Sequence, residues 1–171
     1  EITSEKIALA LENFLLTLTS YDSKFDRAMA GQIELDDKEK RGFELFMTEY
    51  EPRTGRFGAD CFHCHGGPLF SDHEFHNNGL KLKSEDSGMK GLFSTPSLRN
   101  IELTGPYMHD GRFSTLEEVV SHYNSAMHRT DVLDPNLAKH PVQGLRLAKS
   151  DEQAIVAFLK TLTDPKYQDT P

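Results

Sequence analysis

An all-α domain with long irregular loops is the fold this sequence predicts, and three observations predict it. Four stretches carry apolar residues at helical spacing behind a capping residue. Between the second and third of them, residues 51–113 are dense in Gly, Pro, Asn, Asp and Ser and hold no run of strand-like alternation. The length, 171 residues, suits one domain with a real core and is short for two.

The first helix is expected behind Ser4, where Ile7, Leu11, Phe14, Leu15 and Leu18 recur. Only Glu5, Lys6, Glu12 and Asn13 form a strongly polar stripe, so this helix should be covered on more than one side. A second begins at Asp36 with Glu39 completing a capping box, and places Phe43, Phe46, Met47 and Tyr50 on one face. Gly42 weakens it, which makes sense where another backbone passes close. The third is expected from Ser114, with Glu117 as capping partner and Leu116, Val119, Val120 and Tyr123 inward. Ser150 and Gln153 open the fourth, whose stripe is Ile155, Phe158, Leu159 and Leu162. A structureless segment as long as 51–113 needs something to organise it, and a bound cofactor would do so.

Composition points the same way. A hydrophobic fraction of 37% and a mean hydropathy of −0.55 are low for a core built of protein alone, and an apolar cofactor could fill part of the interior. The net charge of −8, with Lys and Arg scattered, excludes a nucleic-acid binder and leaves room for a basic protein partner. No apolar run approaches the ~20 residues of a membrane span, and no basic-then-apolar leader opens the chain. The start at EITSEK fits a removed export signal or a missing upstream part.

The only two cysteines lie in DCFHCHGGP, residues 60–68. A redox dithiol needs only Cys-x-x-Cys but ordinarily follows a strand in a βαβ unit, and helices and loops surround this one. A zinc site would recruit two of the eight histidines, yet no finger-like pair follows, and His73 and His76 have only two residues between them. Covalent haem uses the whole motif: the thiols of Cys61 and Cys64 add across the two vinyl groups, and His65 is held under the iron. Phe62, Leu69, Phe70 and Phe75 suit a porphyrin edge, and Gly66, Gly67 and Pro68 let the backbone turn away. For the sixth iron position, Met108, His109, His122, Tyr123, Met127 and His128 are candidates. Tyr123 shares the inward face of the third helix, His122 shares a wetter face with Glu118, and Met127 turns inward if the helix reaches that far. His73 and His140 are expected at the surface.

Three stretches, CFHCHGGPLFSDHEFHNNGL, FSTPSLRNIELTGPYMHDGRFSTLEEVVSHYN and DEQAIVAFLKTLT, resemble the C-terminal haem domain of the bacterial di-haem cytochrome c peroxidase and MauG-type family. EKIALALENFLLTLTSYDSKFDRAMAGQ resembles the helix and connector leading into that domain, so the likeness runs through almost the whole chain. The second, N-terminal Cys-x-x-Cys-His domain of the complete enzymes has no counterpart here.

The resemblance implies a cytochrome c-like helical domain wrapped around one covalently bound haem c. It divides the chain into an interdomain helix and connector at 1–34, the haem domain at 35–165 and a tail at 166–171. It makes Cys61 and Cys64 the thioether residues and His65 the proximal ligand, and puts Tyr123 where peroxidases place methionine and the MauG type places tyrosine. Met127 is the alternative. Tyrosinate would lower the potential and favour high-valent iron, whereas methionine would raise it and suit a one-electron relay. Also implied is a calcium site at the domain boundary with the carbonyl oxygens of Thr104 and Pro106, incomplete without the other domain. Charge and loop position suggest Arg99 as partner of a haem propionate.

The expected function is the electron-transfer half of a peroxidase, passing electrons from a small cytochrome c or cupredoxin donor to a haem in the N-terminal domain that reduces hydrogen peroxide. The alternatives are MauG-type oxidation of a protein substrate and a stand-alone mono-haem carrier. The expected location is the bacterial periplasm, and a homodimer is compatible. The missing domain is expected to pack on the first helix. The acidic balance would steer a basic donor.

Overall fold

The computed structural model describes residues 1–82 and 91–168. Of the expected C-terminal tail, residues 169–171 lie outside the described set. Six α-helices occur among the described residues: α1 (Ser4–Thr17), α2 (Lys24–Met29), α3 (Asp37–Met47), α4 (Leu116–Ser121), α5 (Pro135–Ala138) and α6 (Lys149–Lys160). Two hairpins of two-residue strands interrupt the irregular middle, β1 (Tyr50–Glu51) with β2 (Arg56–Phe57) and β3 (Phe75–His76) with β4 (Phe93–Ser94), each antiparallel.

The core is the crossing of α3 and α6. The capping box at its start fixes α3: Glu39 N–H donates to Asp36 Oδ1 and Asp36 N–H to Glu39 Oε2, each at 2.8 Å. Gly42 lies against the carbonyl of Ala154, where a Cβ would collide with it, so this glycine permits the close approach its sequence position suggested. Around the crossing sits an aromatic cluster. Phe158 is wholly buried, with ring centroids of Phe25, Phe43 and Phe46 at 5.5, 5.2 and 5.1 Å.

Three helix starts differ from the sequence expectation. Thr3, not Ser4, caps α1. In α4 the capping pair is Thr115 with Glu118, one residue later than Ser114 with Glu117, because Glu118 Oε2 collects the N–H groups of Ser114 and Thr115 at 2.7 and 3.0 Å. Helix α6 starts behind Ala148, whose carbonyl accepts from Asp151 and Glu152, so Ser150 sits inside the first turn and does not cap. The short α2 and α5 fall below the length at which periodicity shows. Ser23 and Asp26 form the capping box of α2, and Asp134 caps α5.

No residue of α1 is buried. Ile7, Leu9, Leu11, Phe14, Leu15, Leu16 and Leu18 are all more than half exposed. At the far end of the chain, Tyr167 Oη donates to the Thr19 carbonyl at 2.9 Å and Lys166 Nζ to that of Thr17 at 3.2 Å, tying the segment after α1 to the C-terminal turn.

Candidate haem-attachment cleft

Asp60 takes a left-handed backbone (φ 58°) and opens a 3-10 turn over Cys61–His63. His65 N–H closes back onto the Cys61 carbonyl at 2.9 Å, and Asp72 N–H returns to the Cys64 carbonyl at 2.9 Å. Gly67, at φ 69°, lets the chain reverse directly after the motif. The curl gathers Cys61, Cys64 and His65 on one cleft, and Tyr123 lines the same cleft. His76, Asn78, Phe93, Asp134 and Leu145 complete much of the wall. Over the described residues the enclosed part measures about 130 Å³. That is less than the roughly 300–1,000 Å³ of a closed ligand pocket, so a larger planar group would extend through the open side.

Both thiols are free. Burial pushes each of them up to about 12, with negative charge from Asp60 adding at Cys61 and from Asp134 at Cys64, so they stand protonated at neutral pH. Burial likewise pushes the His65 imidazole below its ordinary value, against the carbonyls of Phe70 and Pro96. Nδ1 of this neutral ring lies 2.9 Å from the Phe70 carbonyl, to which it donates, and that leaves the lone pair on Nε2. A neutral imidazole oriented through Nδ1 is the form an iron ligand requires. The chemistry of the donor set therefore fits haem c: two unpaired thiols, an oriented imidazole and a phenol on one cleft.

The phenol owes its position to a π-helical segment, His122–Ala126, which continues α4. Burial raises the Tyr123 pKa, and the Cys61 and Cys64 sulfurs raise it further, against a hydrogen bond from Asn78. Such a phenol keeps its proton until a cation meets it. Asn78 also donates to Met108 Sδ at 3.7 Å, and its carbonyl accepts from His122 Nε2 at 3.0 Å. His122 is thus buried, a correction to the wetter face expected for it. The widened turn rotates successive side chains away from ideal α-helical spacing, so two neighbours can both point inward. Met127 is buried too, packed against Gly79 and outside the set that lines the cleft.

Beside the thiols, His76 is clamped between two carboxylates, with Nδ1 at 2.6 Å from Asp134 Oδ2 and Nε2 at 2.8 Å from Asp72 Oδ2. Burial pushes its pKa down, but the hydrogen bonds and charges of Asp134 and Asp72 outweigh that and the net shift is upward. A carboxylate at each ring nitrogen thus favours the protonated imidazole in the cleft wall.

Other expected site residues are placed elsewhere. Arg99 donates to both carboxylate oxygens of Asp26 at 2.9 and 3.0 Å and to the Pro68 carbonyl at 2.7 Å, so its guanidinium bolts the connector to the loop after the motif and is not part of the cleft wall. Phe70 belongs to the aromatic core, Leu69 and Phe75 are largely exposed, and Phe93 supplies the aromatic face of the cleft. Thr104 and Pro106 lie on an exposed loop. His73 is exposed, whereas His140 is buried, a correction explained by its contact with buried Asp60. Asn78 and Asp134 escaped sequence reasoning, and His76 entered it only in the zinc reading, because contacts distant along the chain bring them to the cleft. The one local signal was the Asn-rich turn after Phe75-His76, which reads as loop.

No protein-family model matches the chain. It is 33% identical to the methylamine utilization protein MauG of Methylophilus methylotrophus over 94% of its own length and 48% of that protein's. Cytochrome c551 peroxidase of Nitrosomonas europaea is 32% identical, matching all of this chain against 51% of its own. Among solved structures, a MauG-like protein associated with microbial copper homeostasis superposes with a TM-score of 0.76 at 31% identity, covering 96% of this chain and 54% of that one. The di-haem peroxidase BthA of Burkholderia thailandensis shares the fold, with a TM-score of 0.65 at 20% identity. The chain spans about half the length of the relatives it matches.

Proposed function

Because the chain is homologous to the di-haem cytochrome c peroxidase and MauG family over about 95% of its length, we propose that it is a haem c electron-transfer domain of a peroxidase-type oxidoreductase. The observation that carries this reading is the convergence of Cys61, Cys64, His65 and Tyr123 on one cleft. In it Cys61 and Cys64 would form the thioether bonds, and His65 and Tyr123 would hold the iron. Met127 is disfavoured in that role by its packing on Gly79 away from the cleft.

Bound haem c would supply a one-electron centre. The chain's own work is to hold it. The Phe70 carbonyl fixes the tautomer of His65, Asn78 orients the Tyr123 hydroxyl, and the phenol gives up its proton only when a cation arrives. The carboxylate clamp favours a protonated His76 beside the motif.

On this reading the domain takes electrons from a small cytochrome c or cupredoxin donor and passes them to a haem in an N-terminal domain that reduces hydrogen peroxide. The N-terminal domain would cover the exposed apolar faces of α1. The functional location is the periplasm, where such haems are attached. No helix among the described residues is long and apolar enough to cross a membrane. A second reading, oxidation of a protein substrate in the MauG manner, is favoured by a tyrosine on the cleft and by the MauG relatives. Calcium at the Thr104 and Pro106 carbonyls belongs to the proposal only with the missing domain present. Two carbonyls fall short of the roughly 6–8 oxygens calcium takes.

The test is the visible spectrum of the ferric haem-loaded protein before and after one equivalent of hydrogen peroxide, for the wild type and for Tyr123→Phe. The expected wild-type spectrum is six-coordinate and unchanged by peroxide, with loss of the sixth ligand in the variant. A wild-type high-spin spectrum that shifts on peroxide addition would overturn the relay role.

A further inference from the structure

Beside the cysteine motif lies a second group of donors, which shares Asp60 with the cleft wall. Glu49, Asp60 and His63 place a carboxylate oxygen, a carboxylate oxygen and an imidazole nitrogen within 4.8 Å of one another. His63 Nε2 is 3.3 Å from Asp60 Oδ1 and 3.9 Å from Glu49 Oε1. Ligands at the ~2.0–2.2 Å bond lengths of a tetrahedral zinc ion are themselves about 3.4 Å apart, close to the two separations that His63 Nε2 already makes. His63 Nε2 is a fully buried atom with no hydrogen-bond partner, as an imidazole nitrogen awaiting a ligand would be.

A cation already sits among the oxygens. Lys139 Nζ lies 3.2 Å from both Glu49 Oε1 and Asp60 Oδ1. It hangs on a flexible stem at the end of α5, beside a cleft of about 410 Å³ lined by Tyr50, Arg53, His140 and Pro141 into which it could withdraw. Two carboxylates and a neutral imidazole balance the charge of a divalent ion more completely than that of one ammonium.

The remaining oxygen of Asp60 is anchored from behind. Tyr50 N–H donates to Oδ2 at 2.9 Å, and His140 Nε2 lies 2.8 Å from it outside hydrogen-bond geometry. With Oδ2 held, Oδ1 faces His63 and Lys139, the arrangement of a ligating carboxylate oriented by outer partners. Mixed nitrogen and oxygen donors select the later divalent ions of the zinc class over calcium or magnesium.

We propose that Glu49, Asp60 and His63 bind one divalent transition-metal ion of the zinc class, with water completing the shell and Lys139 displaced. The ion would pin Glu49, just before the β1 hairpin, to the turn that carries Cys61, independently of what the haem does.

The experiment is calorimetric titration of zinc sulfate into chelator-treated, haem-loaded protein. The haem-loaded form matters because Cys64, His76 and Asp134 also lie within reach of a common ion, and thioether formation removes that thiol. One equivalent should bind. Glu49→Gln and His63→Ala should each weaken binding by more than about tenfold, while Lys139→Met should strengthen it by about fivefold. Glu49 and His63 are partly exposed, and an unchanged haem spectrum in each variant certifies the fold and reports separately on haem attachment. Absence of binding in wild type and Lys139→Met alike, or affinity indifferent to Glu49→Gln and His63→Ala, would overturn the proposal.

Discussion

The Arg99–Asp26 pair is where the connector helix α2 is fastened to the loop after the cysteine motif, and its strength can be worked from geometry. The pair is bidentate and mostly sheltered, with side chains 13% and 20% exposed. Fully exposed pairs contribute about 0–1 kcal/mol, and breaking a fully buried one costs about 3–5 kcal/mol. A coupling of about 2 kcal/mol is therefore expected. Asp26→Asn should cost more than this alone, because Asp26 Oδ2 also accepts from Ser23 N–H and Oγ–H in the α2 capping box, worth about 1 kcal/mol. Arg99→Met should also exceed it, through the lost hydrogen bond to the Pro68 carbonyl, about 1 kcal/mol. The assay is urea unfolding of the haem-loaded wild type, both single variants and the double variant, compared at constant m-value. The double variant should be about 2 kcal/mol more stable than additivity allows. Additivity to within about 0.5 kcal/mol would refute the reasoning. Burial pushes the Asp26 carboxyl up, but hydrogen bonds from Arg99 and Ser23 outweigh it and leave it below the ordinary 3.8. The stabilisation is thus complete above the unfolded value of 3.8 and disappears as pH falls through the lower folded one.

Two further outcomes follow from the packing and the charges. Gly42→Ala drives a methyl into the Ala154 carbonyl and must separate α3 from α6, so it should cost about 1–3 kcal/mol in urea unfolding; a neutral effect would mean the crossing is looser than described. His76 has a folded pKa above its ordinary 6.5, so its clamp stabilises fully below that pH and fades as pH rises through the folded value. Melting temperatures of wild type should fall relative to His76→Gln as pH is raised from about 6 toward 9, and parallel profiles would contradict the clamp.

The sequence by itself determined the helical class, the α3 capping box and the purpose of Gly42, because each is a local rule: a period of 3.6 residues, a residue three positions on, the absence of a Cβ. It also marked Cys61, Cys64 and His65, since a contiguous motif carries its chemistry in its spacing. Tyr123 was legible as inward-facing, but its neighbour His122 was not, because a π-helical turn changes the period on which the face assignment rested. Only the tertiary structure decided that Arg99 serves Asp26, that Asn78 reaches Tyr123, and that Glu49, Asp60, His63 and Lys139 meet. Most of these partners lie far apart along a chain whose middle has no periodicity, and which charge meets which is fixed by loop closure and burial. Polar residues in loops announce that they need partners, and the fold alone says who the partners are.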